Sequence, residues 1–147
     1  MQLSTKVRYA TRIVIRLARE SNDEPLPTQA IARLEDISAD YVAQILMVLK
    51  KAGVVSSTRG SQGGFVMARD PESLTVKDVI EAVEGPICLV PCSTRKAVCS
   101  RSSSCVTRTL WDQAGATLRT FFAGVTVQQL AAQSADIERA VSGTFEI

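Results

Sequence analysis

The stretch ADYVAQILMVLKKAG, residues 39–53, constrains this chain more than any other. Val42, Ile45, Leu46 and Leu49 recur at i, i+3, i+4 and i+7, the spacing that gathers apolar side chains on one face of a helix. Ser38 stands where an N-cap belongs, and Gly53 stands where a helix stops. The opposite face carries Ala39, Asp40, Ala43, Gln44, Met47 and Lys51, small or polar groups that let another surface approach closely. Upstream, TQAIARLE predicts a shorter helix capped by Thr28, with Ala30, Ile31 and Leu34 as its apolar stripe; a turn at Glu35-Asp36 joins the two. A helix, a short turn and a second helix with a hydrogen-bonding outer face make a helix-turn-helix.

The flanks extend this unit. Residues 3–20 predict a first helix with Val7, Ala10, Ile13 or Val14, Leu17 and Ala18 at helical spacing. Its other face is basic, and Lys6, Arg8, Arg12, Arg16 and Arg19 interrupt it too often for a signal peptide or a membrane span. After the helix-turn-helix comes VVSSTRGSQGGFVMARD, in which Val54 to Thr58 and Phe65 to Ala68 have strand composition. Gly60, Gly63 and Gly64, three of the eight glycines, form the connection of a hairpin. Three helices and this hairpin predict a mainly α fold with a small β wing, a winged helix-turn-helix, over residues 1–85. Thr75 caps a helix VKDVIEAVE that Gly85-Pro86 closes. Residues 86–106 are a cysteine-rich loop. TRTLWDQAGATLRTFFAG follows as a long amphipathic helix, with Leu110, Ala114, Leu118 and Phe121 on one side and Trp111 and Phe122 beside them. TVQQLAAQ makes one more short helix within residues 107–135, and residues 136–147 are expected to be a loosely ordered tail.

The charge is unevenly placed. Residues 1–69 carry ten Lys/Arg against six Asp/Glu, whereas residues 70–147 carry seven against nine, so the first half is the candidate for a polyanion. An α-helix fills the DNA major groove, and a slim glycine-rich hairpin can lie on the backbone or enter the minor groove. On the presumed recognition helix, Gln44 can pair with an adenine edge, while Ser38, Asp40 and Tyr41 can reach bases or phosphates. Arg59 at the wing tip, beside Gly60, Ser61 and Gln62, suits a phosphate or a narrow minor groove. Lys6, Tyr9 and Thr28 complete the candidate contacts to double-stranded DNA. Singly, Tyr41 and Gln44 could merely cover the core and Arg59 could be a solvated turn residue; as a set they favour DNA.

All four cysteines fall within CLVPCSTRKAVCSRSSSC, spaced Cys88-x3-Cys92-x6-Cys99-x5-Cys105. A chain of this composition buries a sufficient core without disulfides, and a cytoplasmic location, which keeps thiols reduced, is the default. Four thiolates can hold a tetrahedral zinc or an iron–sulfur cluster, or the thiols can sense oxidants without metal. Structural zinc sites usually use two tight pairs, and only Cys88 and Cys92 are that close. From residue 86 to 108 there are four basic residues, Arg95, Lys96, Arg101 and Arg108, and no acidic ones, which suits a net anionic cluster. The chain contains no histidine, which excludes a mixed Cys/His site and a histidine-based triad, and it has no glycine-rich nucleotide motif. No catalytic centre is expected, nor a small-molecule substrate.

MQLSTKVRYAT, IARLEDISADYVAQIL, VVSSTRGSQGGF and the cysteine loop running into CVTRTLW resemble the Rrf2 family of bacterial transcription factors, from Met1 to about Gln133. The resemblance implies a homodimer joined through the long helix, bound to a palindromic operator, with an iron–sulfur cluster that modulates DNA recognition. It implies Cys92, Cys99 and Cys105 as ligands. The fourth ligand departs from the family. IscR-like members have a histidine where this chain has Arg108, and NsrR-like members use an aspartate where it has Arg8. Cys88 is the available substitute, against the alternative that it is a small buried residue at the loop entrance. The IscR glutamate of the recognition helix is replaced by Ala43, so operator preference does not transfer. The spacing sits closer to the IscR pattern, which favours a 2Fe–2S over a 4Fe–4S cluster. Two other functions stay open: a metal-free thiol-based redox repressor, and a winged-helix protein-interaction module with structural zinc.

Overall fold

The computed structural model describes residues 2–20, 24–94, 99–101 and 103–143, and within them the chain forms seven helices and one two-stranded sheet. Helix α1, Thr5–Glu20, buries Val7, Ala10, Ile13, Val14 and Leu17 along one side. The Ser4 hydroxyl accepts the Val7 N–H at 3.2 Å, satisfying one of the amides that a helix start leaves open.

Helix α2, Thr28–Glu35, departs from expectation at its start and along its face. Pro27, extended at φ −62° and ψ 146°, holds the N-cap position without a side-chain cap, and its carbonyl accepts the N–H groups of Ala30 and Ile31 at 2.9 and 3.1 Å. Thr28 is therefore the first helical residue and not the cap. Leu34 is exposed; Ile31, Ala32 and Glu35 point inward instead. The reason is the 100° step of the helix, which puts Ile31 and Glu35 on the side facing α1, where two arginines wait for the carboxylate. Asp36 turns the chain in the left-handed region at φ 53°, and the Ile37 N–H then bonds to the Ala32 carbonyl at 3.0 Å.

Helix α3, Ala39–Lys51, starts as expected: the Ser38 hydroxyl accepts the Tyr41 N–H at 3.4 Å. Val42, Ile45, Leu46 and Leu49 are fully buried among Ala10, Ile13, Val14, Leu17 and Ile31, and each such side chain contributes about 1.5–3 kcal/mol. Strand β1, Val55–Thr58, pairs antiparallel with β2, Gly64–Met67, matching Val55 to Met67 and Thr58 to Gly64. Leu26 adds a single rung, exchanging two 2.9 Å backbone bonds with Phe65. The approach is so close that a Cβ on Gly64 would lie 2.5 Å from the Leu26 carbonyl carbon.

Helix α4, Val76–Glu84, opens with a capping box in which Thr75 and Asp78 satisfy each other's backbone, and it ends at Gly85 with φ 84°. A single-turn helix α5, Pro91–Thr94, interrupts the cysteine segment. Helix α6 spans Val106–Ala123 and α7 spans Val127–Gly143. Their junction returns to the start of α4, with Val127 N–H on the Leu74 carbonyl at 2.8 Å and Val76 N–H on the Val125 carbonyl at 2.9 Å.

Helix α7 runs well past the short helix expected from TVQQLAAQ. Of the anticipated tail, residues 136–143 are helical, and 144–147 lie outside the described residues. The cause is tertiary: α7 lies along α1, with Val127 and Ala131 buried and Arg19 donating to Ser134 at 3.0 Å and to both oxygens of Glu138.

Candidate DNA interface and cysteine loop

The outer face of α3 is held from both ends. At its start, the Tyr41 ring meets Tyr9 of α1 edge-on, with centroids 5.8 Å apart and planes at 74°. The Arg12 guanidinium lies 5.5 Å from the Tyr9 centroid. Such contacts contribute about 0.5–1.5 kcal/mol each, and here they fix which way Tyr41 faces. Toward its C-terminal end, Lys50 donates to Ser57 of β1 at 2.6 Å, linking the helix to the wing.

Between the end of α2 and α1 sits a buried charge that the sequence patterns did not reveal. Glu35, 6% exposed, accepts from Arg12 at 3.0 Å and from Arg16 at 2.7 Å, and Arg12 also donates to the Glu35 carbonyl. Burial opposes the Arg16 charge, but the hydrogen bond and attraction of Glu35, with help from Glu20, hold its guanidinium above its ordinary value. A carboxylate so placed needs both arginines, because an unpaired buried charge costs several kcal/mol. Its only sequence signal was arginines spaced along α1 above an acidic helix end. The pair fastens the turn before α3 to α1.

The candidate contacts are distributed as follows. Asp40 and Gln44 are exposed on α3, Tyr41 is half-buried, and the Ser38 hydroxyl is engaged as the cap. Lys6 and Tyr9 are half-buried on α1, and Thr28 is half-buried in the first turn of α2. Arg59, Gly60, Ser61 and Gln62 are exposed at the wing tip, where φ +116° at Gly60 makes a turn that side chains resist. Of these residues, Tyr9 and Tyr41 make a direct contact. Ala43 and Met47, also exposed on the outer face, were not among the predicted base readers.

The thiols are not drawn together in this conformation. Cys88 and Cys99 are exposed, Cys92 lies half-buried on α5, and Cys105 is half-buried at the N-cap of α6. Among the described residues, no three His, Cys, Asp or Glu side chains converge closely enough to hold a metal ion. Cys88 is thus not the small buried residue of the alternative; it lines a cavity of about 450 Å³ with Leu3, Ile80, Ile87, Leu118 and Phe122. The loop is anchored on both sides, at Ile87, whose carbonyl accepts from Arg119 of α6 at 2.7 Å, and at Cys105. The Cys105 sulfur lies 3.1 Å from the Thr107 hydroxyl. That hydrogen bond, with the Arg108 and Thr107 amides at the start of α6, holds the thiol below its ordinary value. Of the four basic residues of this region, Arg95 and Lys96 lie outside the described residues.

Helix α6 leaves its apolar side uncovered. Gly115 is its one buried residue, while Val106 is 82% and Phe121 63% exposed, with Leu110 and Trp111 also open. Turned at 100° per residue, Val106, Leu110, Ala114 and Phe121 fall within one quadrant, away from the Gly115 side. No helix among the described residues is long and apolar enough to cross a membrane.

Comparison with known proteins agrees with this architecture. The model of the family described as Rrf2, iron-dependent transcriptional regulator, matches residues 3–133. The chain is 36% identical over 114 residues to Protein rrf2 of Nitratidesulfovibrio vulgaris, covering 78% of this chain and 76% of that protein. It is 32% identical over 130 residues to the HTH-type transcriptional regulator IscR of Yersinia pseudotuberculosis, covering 88% and 79%. Among solved structures, CymR, the global cysteine regulator of B. subtilis, superposes with a TM-score of 0.74 at 30% identity, covering 90% of this chain and 98% of that one.

Proposed function

The chain belongs to the Rrf2 family of winged-helix transcriptional regulators, and from that premise we propose that it acts as a homodimer on a palindromic DNA operator, its affinity modulated by an iron–sulfur cluster in the Cys88 to Cys105 loop. The observation that carries the DNA part is α3, clamped to α1 by Tyr9 and to the wing by Lys50 while Asp40, Ala43, Gln44 and Met47 stay uncovered. Gln44 pairs with an adenine edge, Asp40 accepts from a cytosine amine, and Lys6, Tyr9, Thr28, Ser38 and Tyr41 line the backbone. Arg59, with Gly60, Ser61 and Gln62, engages phosphate or the minor groove. The uncovered side of α6 supports the homodimer, since apolar surface of this kind on a helix calls for a partner. A symmetric pair of recognition helices then meets a symmetric operator.

For the cluster, the donor chemistry fits: four thiols, a loop tied down at Ile87 and Cys105, and an excess of positive charge. Cys92, Cys99, Cys105 and Cys88 would hold it, and doing so requires the loop between the anchors to close, because the thiols stand apart in this conformation. When bound, the group supplies redox or nitric oxide sensitivity. The chain's own part is to couple loop closure to α6, whose first turn begins at Cys105. The 2Fe–2S form remains preferred over 4Fe–4S.

A second proposal is favoured by the geometry at Cys105, whose sulfur lies 3.1 Å from the Thr107 hydroxyl at the N-cap of α6, an arrangement that lowers the thiol. A half-exposed cysteine whose thiol is held below its ordinary value is the chemistry of a metal-free thiol switch. Anaerobic purification with iron and acid-labile sulfide analysis, followed by operator binding, separates the two. Iron and sulfide in matching amounts, with DNA affinity that changes when they are lost, supports the cluster. Colourless protein with one zinc per chain and no iron would sink it, and affinity that responds to thiol oxidation in iron-free protein would put the switch in its place.

A further inference from the structure

The outer face of α3 contains an apolar element that neither the packing nor a polar role explains. Val42, Ile45, Leu46 and Leu49 face the core, so the opposite side runs through Asp40, Met47 and Lys51, with Gln44 on one flank and Ala43 on the other. Met47 is at its centre and is 60% exposed. Beside it, Val48 and the stems of Lys50 and Lys51 complete a shallow, mostly apolar recess. Lys50 is turned away to Ser57 of β1, which leaves this recess open.

The major groove offers such a surface one counterpart in ordinary DNA. Its edges are hydrogen-bond donors and acceptors except for the C5-methyl group of thymine. A methionine suits that group, being flexible and polarizable enough to follow a methyl without demanding one geometry. We propose that Met47 and Ala43 read thymine in each half-site through its 5-methyl group, next to an adenine read by Gln44. This rests on the DNA-binding function proposed above and adds to it a base preference at named positions. Ala43 and Met47 lie one helical turn apart, about 6 Å at Cβ, so the methyls they meet fall within about two base pairs of each other.

The experiment begins with selection of the preferred operator from random duplex DNA, using the protein as purified. Each thymine of one half-site is then replaced singly by deoxyuridine, which removes the methyl and leaves base pairing intact. Affinity is measured by fluorescence anisotropy at one fixed salt concentration. One or two positions should bind about three- to fivefold more weakly with uracil, as expected for one lost methyl contact. In Met47→Ala, whose exposed side chain leaves the core untouched, the penalty at one of those positions should disappear. Equal binding of every uracil operator by the unaltered protein overturns the inference, as does an unchanged penalty in Met47→Ala. Selection that enriches no sequence overturns the DNA-binding function itself, and is thereby distinguishable.

Discussion

The winged domain and the segment from Cys88 through α6 respond differently to being one chain by itself. In the first, apolar side chains find partners within the chain: Ile13, Leu17, Ile31, Ile45, Leu46 and Leu49 are at most 2% exposed. In the second, an 18-residue helix buries one glycine, and among the described residues no three thiols converge on one point. The winged domain is completed by its own sequence. The α6 segment is not, and under the function proposed above what completes it comes from outside: a second copy along the helix and a bound group in the loop. A perturbation should therefore act on folding in the first region and on association or chemistry in the second.

The largest expected effect lies in the domain that completes itself. Glu35→Ala removes the carboxylate between Arg12 and Arg16 and leaves the largely buried Arg16 guanidinium with only the exposed Glu20 and Glu138, while Arg12 stays at the surface. Urea denaturation should show a loss of about 3–5 kcal/mol. A loss under 1 kcal/mol would mean that water replaces Glu35 easily, and the contrast between the regions would blur.

Next comes the helix that lacks a partner. Phe121→Ala exchanges an exposed ring for a methyl, so the stability of the isolated chain should hardly move. The dimer dissociation constant, read by analytical ultracentrifugation, should rise about thirtyfold, the effect of losing an anchor worth roughly 2 kcal/mol. Unchanged association would place the interface elsewhere.

What could be read in advance follows the same division. Ser38 and Thr75 were legible as caps, because a cap is a local device whose partners lie within three residues. Thr28 misled: the preceding proline is also compatible with a helix start, and the backbone gave Pro27 the position. Glu35 was not legible as a buried residue, since its stabilising partners lie 19 and 23 positions away on α1. The extension of α7 escaped for the same reason, its anchors being Arg16 and Arg19 at the other end of the chain. Cysteine spacing marked the loop as a place for thiol chemistry but not how its thiols are arranged, because no three of them converge among the described residues.

That α7 anchor gives a smaller effect and a pH dependence. Hydrogen bonding from Arg19 lowers the Glu138 carboxyl to about 2 from 4.5; burial is the second-largest influence and opposes it, and the Arg19 and Arg16 charges add to the lowering. A depressed folded value means the contact stabilises fully above about 4.5 and is lost as pH falls through about 2. Glu138→Gln at neutral pH should mimic the acid state, speeding amide exchange in the last turns of α7 and leaving α3 protected. The difference should shrink in high salt, since Glu138 is half-exposed to solvent. Faster exchange throughout the winged domain would show that α7 belongs to the self-completing region.

The smallest effect tests the loop. The Thr107 hydroxyl is the leading cause of the lowered Cys105 thiol, ahead of the α6 amides and Arg108. Thr107→Val keeps the side-chain shape and removes the hydrogen bond, so the pH at which Cys105 becomes half-ionised should move up toward the ordinary thiol range. In iron-free protein, alkylation of Cys105 near neutral pH should slow severalfold, because the thiolate is the nucleophile and its share falls as the pKa rises. Alkylation mapped by mass spectrometry serves as the measure, with Cys99, exposed in the same loop, as internal reference. Folding stability should not change. If the rate at Cys105 does not fall relative to Cys99, the thiol owes its lowering to the helix start alone, and every chain with a cysteine at that N-cap would carry the same reactivity whatever residue stood at position 107.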